Sequence, residues 1–236
     1  ALALQSMPLN DHAVAALLLM AAVGQVANPA KLSTAVLRIT GSPVEAAVQR
    51  AGFAPLIDAM LAHAQNQIHL LDNSGAYADV DLTCRAIDRF HRLARAVNGY
   101  LELARASRWS TVMAALTKAA SESVEPRLRD VAGSVNMALR RGRDGADRLD
   151  SDQILVALNG VYVLAAVRDA RDSLGVNAIF DQAWNQVGQG LEIHIQRGLD
   201  ILRQNPGDRI ASARLDAAIK MAELRFNAEY AETLRK

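Results

Sequence analysis

Residues 154–167 read ILVALNGVYVLAAV, fourteen positions without a charge, bracketed by Asp150 and Asp152 before and by Arg168 and Asp169 after. A helix that is apolar on every side has to be buried. An uncharged run of this length falls short of the roughly 20 residues that cross a bilayer. Its valines would also suit a strand, but the segment continues as RDARDSLG, with helix-forming charged residues and a glycine stop, so length and ending select helix. The run therefore predicts the central helix of a soluble all-α protein: an antiparallel bundle of long helices with a cluster of short helices at the N-terminus.

Composition agrees. Half of the 236 residues are apolar, yet aromatic residues make up only 4%. Such a chain packs helices closely, because strands draw on aromatic and β-branched side chains. With 26 basic against 25 acidic residues, the formal charge of +1 gives no whole-molecule field toward nucleic acid or membranes. The single Cys84 excludes an internal disulfide and fits a reducing compartment, so a cytoplasmic protein without membrane insertion is expected. The apolar run Ala13–Val23 follows Asp11 and His12, not a basic segment, and reads as a first helix, not a secretory leader. ALALQS, before Met7, is left out of the fold reasoning.

Outward from the central helix, Pro8, Asn10 and Asp11 start a helix that should stop near Asn28-Pro29. A short helix to about Ile39 follows. Ser42, Pro43 and Glu45 then have the spacing of a capping box, and Pro55 opens a helix to Leu71. Residues 72–79, DNSGAYAD, form the first real loop and set the expected division into an 8–72 cluster of short helices and an 80–236 bundle.

A long helix is expected over 80–107 with a kink at Asn98-Gly99. Shorter helices should cover 109–120 and 126–141, and a polar loop 141–152. After the Gly175 stop comes a helix over 178–204 that contains Gly188, Gly190 and Gly198. Each interior glycine costs about 1 kcal/mol relative to alanine. Close approach of a neighbouring helix or of a ligand must offset them. Asn205-Pro206-Gly207-Asp208 ends that helix. The last one should run to the C-terminus with a seam of Ala217, Met221, Leu224, Ala228 and Ala231 and surface pairs Asp216–Lys220 and Arg225–Glu229.

Three groups could carry function. Arg85, Arg89 and Arg92 recur at helical spacing and could contact an anion or a partner, although Asp81 and Asp88 stand four residues before Arg85 and Arg92 and describe a self-compensated surface. The loop arginines Arg140, Arg141, Arg143 and Arg148 alternate with Asp144, Asp147, Asp150 and Asp152, which suits a hydrated loop better than a phosphate or cation site. Asn159 and Tyr162 in the central helix could meet Trp184 and His194 in the next and line a small-molecule pocket, or simply hydrogen-bond within the core.

No catalytic residue is assigned. The five histidines form no HExxH and no pair on one helix turn, and no GxSxG, Walker loop or dinucleotide fingerprint is present, so neither a metal nor a cofactor is expected. Residues 32–53 outline a helix-turn-helix, but Glu45, Gln49 and Arg50 are the only polar residues its second helix would offer to DNA.

The expected function is thus a non-enzymatic helical interaction or scaffold module, with a protein partner or a second copy of itself. Two alternatives stay open: a DNA-binding regulator with a helical ligand-responsive part, and a small-molecule-binding protein or enzyme using a pocket between the central helices.

Overall fold

A computed structural model of the chain describes residues 11–72, 75–141 and 148–235. The protein is all-α, with ten helices and no strand among these residues: α1 His12–Gln25, α2 Ala30–Thr40, α3 Glu45–Arg50, α4 Ala54–Leu71, α5 Val80–Asn98, α6 Arg108–Leu139, α7 Ser151–Leu174, α8 Asn177–Gln204, α9 Arg209–Arg225 and α10 Ala228–Arg235. They sort into two compact units, both discontinuous in sequence. One comprises 11–71, 85–123 and 173–175; the other comprises 72, 75–84, 124–141, 148–172 and 176–235.

In the first unit, α1 packs on α4 and α2 on α3. Asp11 caps α1, its Oδ1 accepting from the Ala13 and Val14 N–H groups at 3.1 Å each. Phe53, Leu56, Ile57, Met60, Phe90 and Leu93 are essentially inaccessible to solvent. Each such side chain contributes roughly 2–3 kcal/mol of transfer free energy. The buried Ser33 hydroxyl donates to the Ala96 carbonyl at 2.7 Å.

The expected capping box does not form. The Glu102 N–H donates to Pro43 O at 2.9 Å and the Glu45 N–H to Glu102 O at 3.1 Å. This backbone pairing holds Pro43 and Val44 outside the helix, so α3 starts at Glu45. The buried Glu45 carboxylate instead accepts from Ala104 N at 2.9 Å and from Gln49 Nε2 at 3.0 Å.

In the second unit, α8 packs on α9 and α9 on α10. Asp150 caps α7 as expected, accepting from Asp152 N at 3.0 Å and Gln153 N at 3.1 Å. From Ala157 to Val167 no residue of α7 is exposed, and Ala157, Val161, Val163, Leu164 and Val167 are buried. All-round burial fails in the first turns, where Leu155 and Val156 are each 37% exposed. The helix itself runs for 24 residues, so by length and hydropathy, though not by its uncharged run, it passes for a membrane-crossing segment. Gly160 brings α7 against α6: a Cβ there would stand 3.0 Å from Val131 Cγ2.

Three boundaries differ from expectation. Helix α5 ends at Asn98 and does not continue through a kink, with Gly99 N–H bonded to Arg95 O at 2.9 Å. Helix α6 is continuous over 32 residues with Pro126 inside it. Leu116, Ala120, Val124, Leu128, Val131, Val135 and Leu139 are buried at steps of four and three, an apolar stripe that keeps its phase across the proline and outweighs one missing backbone bond. The last helix breaks at Phe226 because Asn227 starts α10, its side chain accepting from Tyr230 N at 2.7 Å. Of the expected terminal seam, Met221 and Ala231 are fully buried, Ala217 and Leu224 are half-buried and Ala228 is exposed.

Candidate functional site

Helices α8 and α9 fold back on each other about the Asn205–Asp208 turn, with Asp208 capping α9 through Ala211 N at 2.9 Å. Gly198 lets them approach: a Cβ there would lie 3.3 Å from Leu215 Cδ1. Beside this contact a groove of about 410 Å³ opens, bordered by the end of α6. That is within the roughly 300–1,000 Å³ range of small-molecule sites. Its floor is aliphatic: Leu139, Gly198, Ile201, Ala211, Leu215 and Ala218. The charged residues are Arg140 and Arg141 from the segment after α6, Arg197 and Asp200 from α8, and Arg214 from α9, joined by His194 and Gln204.

Among the described residues, four arginines and one aspartate line the groove. Asp200 is itself engaged, accepting from Gln196 at 3.1 Å and from Arg203 at 2.8 Å. Arg214 is only 9% exposed. Burial, then the charges of Arg197 and Arg214, hold the His194 imidazole below its ordinary pKa of 6.5. At neutral pH the ring is uncharged and its Nε2 stands 3.1 Å from Asn136 Oδ1. Asn136 reaches it because Gly190 carries no side chain: Oδ1 lies 3.1 Å from where a Cβ would be.

The groove takes His194 but none of the other residues expected to join it. Asn159 Nδ2 donates to the carbonyls of Gly75 and Ala76 at 3.2 Å each, pinning the loop before α5. Tyr162 is half-buried, and its backbone carbonyl accepts from Cys84 Sγ at 3.8 Å. Trp184 stacks on Phe180 with centroids 5.4 Å apart, while the Arg225 guanidinium lies 4.2 Å over its ring and donates to its carbonyl at 2.7 Å. Arg225 therefore faces inward and does not pair with Glu229 on the surface.

The arginine stripe divides in the same way. Arg89 closes the C-terminus of α1, donating to Val23 O and, at 2.6 Å, to Val26 O. Arg92 pairs with Asp88 at 2.9 Å, as the surface reading expected, and Arg85 is exposed. Of the polar loop, Arg143, Asp144 and Asp147 lie outside the described residues. In α3, Gln49 is tied to Glu45 and Arg50 Nε donates to Ala46 O at 3.2 Å.

Among the described residues, the groove lining contains no hydroxyl, thiol or lysine that could serve as a nucleophile beside His194. Elsewhere, burial pushes the Cys84 thiol up despite Arg127 nearby, opposite to what an activated nucleophile needs. Among the described residues no three His, Cys, Asp or Glu side chains gather as a metal site would require. The charged donors on the described lining are guanidinium groups, the chemistry that pairs with carboxylate and phosphate.

Sequence reasoning missed Arg197, Arg214 and the groove itself. One signal was available: Gly198 and Leu215 stand eight residues either side of Pro206-Gly207, so folding the chain at that turn sets Arg197 and Arg214 beside the same contact. The chain matches no protein-family model, no curated protein and no solved structure.

Proposed function

We propose that this chain is a non-enzymatic binding protein that holds a small organic anion in the groove between α8 and α9. The supporting observation is the lining: four arginines from three separate stretches converge on an aliphatic floor, and among the described residues the one carboxylate that lines it with them, Asp200, accepts from Arg203 and Gln196. Guanidinium groups recognise carboxylate and phosphate in a bidentate manner. A thermal-shift screen over organic anions and cations tests the reading. A specific anion at a hundred times its Kd should add about 2.7 kcal/mol of stability, and Arg197→Glu should remove the shift. A screen in which cations stabilise as well as anions would overturn it.

A second reading, interaction with a helical partner or a second copy of the chain, draws on α1. Its inward side buries Ala15, Leu19 and Val23, while Val14, Leu17, Leu18 and Met20 are 40–70% exposed and no residue between them is charged. Apolar patches of this kind mark contact surfaces. Sedimentation at micromolar concentration should then show self-association that Leu17→Glu abolishes; a monomer in both cases would leave α1 without that role.

A further inference from the structure

The groove's lining also specifies what kind of anion it takes. The geometry points to an aliphatic amphiphile, a carboxylate or phosphate head carrying a saturated chain, with the head among Arg197, Arg214 and Arg140 and the chain along Ile201 and Leu215. This inference rests on the groove being an anion site at all.

Three observations converge on it. The lining has no aromatic ring, whereas nucleobases and many planar ligands are held by stacking on one. It also has no hydroxyl, and Gln204 is its one side-chain amide. A sugar or polyol would need several neutral donors and acceptors to replace its water, and charged guanidinium groups prefer charged oxygens. The remaining surface is six residues of aliphatic side chain or bare backbone. Such a floor rewards methylene groups and discriminates little else.

Gly198 against Leu215 fixes which residues oppose each other along α8 and α9. Asp200, Ile201, Gln204 and Ala211 stand toward the Asn205–Asp208 turn, Arg214 stands at the contact itself beside Leu215, and His194 and Arg197 stand beyond it, where Asn136 approaches. With Asp200 on the turn side and Arg197 on the other, the head lies at the contact and beyond it, and the chain is directed toward the turn. His194 neither repels nor competes with the head while it is uncharged. A bound anion would offset the charges of Arg197 and Arg214 that disfavour its protonation.

Calorimetric titration of the whole chain with saturated carboxylates of two to ten carbons, each below its micelle concentration, tests this. Inorganic phosphate, an alkyltrimethylammonium of matching length and a short polyglutamate peptide complete the set. Affinity should rise roughly fourfold per added methylene until the groove is filled. It should fall at least tenfold in Arg197→Glu and in Arg140→Glu, two exposed positions on different elements, and the alkylammonium should not bind.

Acetate and phosphate binding as tightly as decanoate would overturn the amphiphile while leaving the anion site standing. Binding of no anion by a folded protein would overturn both. Chain-length dependence that survives both arginine variants, or that the alkylammonium shares, places the binding elsewhere and overturns the inference. Polyglutamate binding more tightly than every carboxylate would replace it with an acidic protein partner.

Discussion

Helix α8 carries arginine chemistry at two places, and the two are finished differently. Toward its middle, Gly188 leaves room for Arg225, whose guanidinium lies 4.2 Å over Trp184 and 4.9 Å over Phe226 and donates to Trp184 O at 2.7 Å. Ten residues on, Gly198 leaves room for Leu215, and Arg197 and Arg214 beside them line the groove. In both places a glycine admits a neighbour. What differs is what surrounds the cation: aromatic rings at Arg225, aliphatic side chains at the groove. A guanidinium stacked on rings is part of the core; several gathered around an aliphatic groove offer charged donors to an anion.

The largest effect should come from breaking the finished side. Arg225→Ala removes a charge-assisted hydrogen bond and two ring contacts, and about 2–4 kcal/mol of stability should be lost in urea denaturation. Anion binding in the groove should persist. A loss under 0.5 kcal/mol would show that the stack holds nothing.

Gly188→Ala sharpens the point, because its Cβ would fall 2.8 Å from Arg225 Nη2. It should destabilise the natural chain, yet in the Arg225→Ala background stabilise it by about 1 kcal/mol through helix propensity. The same sign in both backgrounds would break the link between the two residues.

On the groove side, Arg197→Ala should change stability by no more than about 0.5 kcal/mol, since the residue is exposed. Only ligand binding should suffer. The smallest effect concerns His194. Its folded pKa lies below its ordinary 6.5, chiefly through burial, so the unfolded chain takes up the proton first as pH falls. The stability this residue contributes is therefore complete above about pH 6.5 and lost as pH drops toward and through the folded value. His194→Gln should flatten that limb of the stability profile, and bound anion should move the limb to lower stability loss by favouring the charged ring. An unchanged profile in the variant would remove His194 from the account.

Much of the fold was legible because helix ends are written locally. Asp11, Asp150 and Asp208 cap through their own side chains, and Gly175, with φ of +69°, closes α7. The misreadings came where tertiary burial outweighed a local signal. Pro126 would break an isolated helix, but a buried stripe spans it. Ser42, Pro43 and Glu45 spell a cap, but pairing with Glu102 takes the Pro43 carbonyl and the Glu45 N–H. Asn227 carried a start signal obscured by the apolar pattern around it.

The site was less legible for a related reason. Arg197 and Arg214 stand on different helices that only the hairpin brings together, and Arg140, read with the polar loop, joins them from the segment after α6. His194 was singled out, yet the companions expected for it are committed elsewhere: Asn159 to the carbonyls of Gly75 and Ala76, Trp184 to Arg225. A polar residue in an apolar helix announces that it needs a partner, not which partner it has.

The most direct test of an anion site between α8 and α9 is a crystal grown with an ω-bromoalkanoate and measured at the bromine absorption edge. The account predicts one dominant anomalous peak in the groove near Ile201 and Leu215, with the carboxylate density against Arg197 and Arg214. A dominant peak on the outer face of α1, or a groove filled only by solvent at saturating ligand, would contradict it.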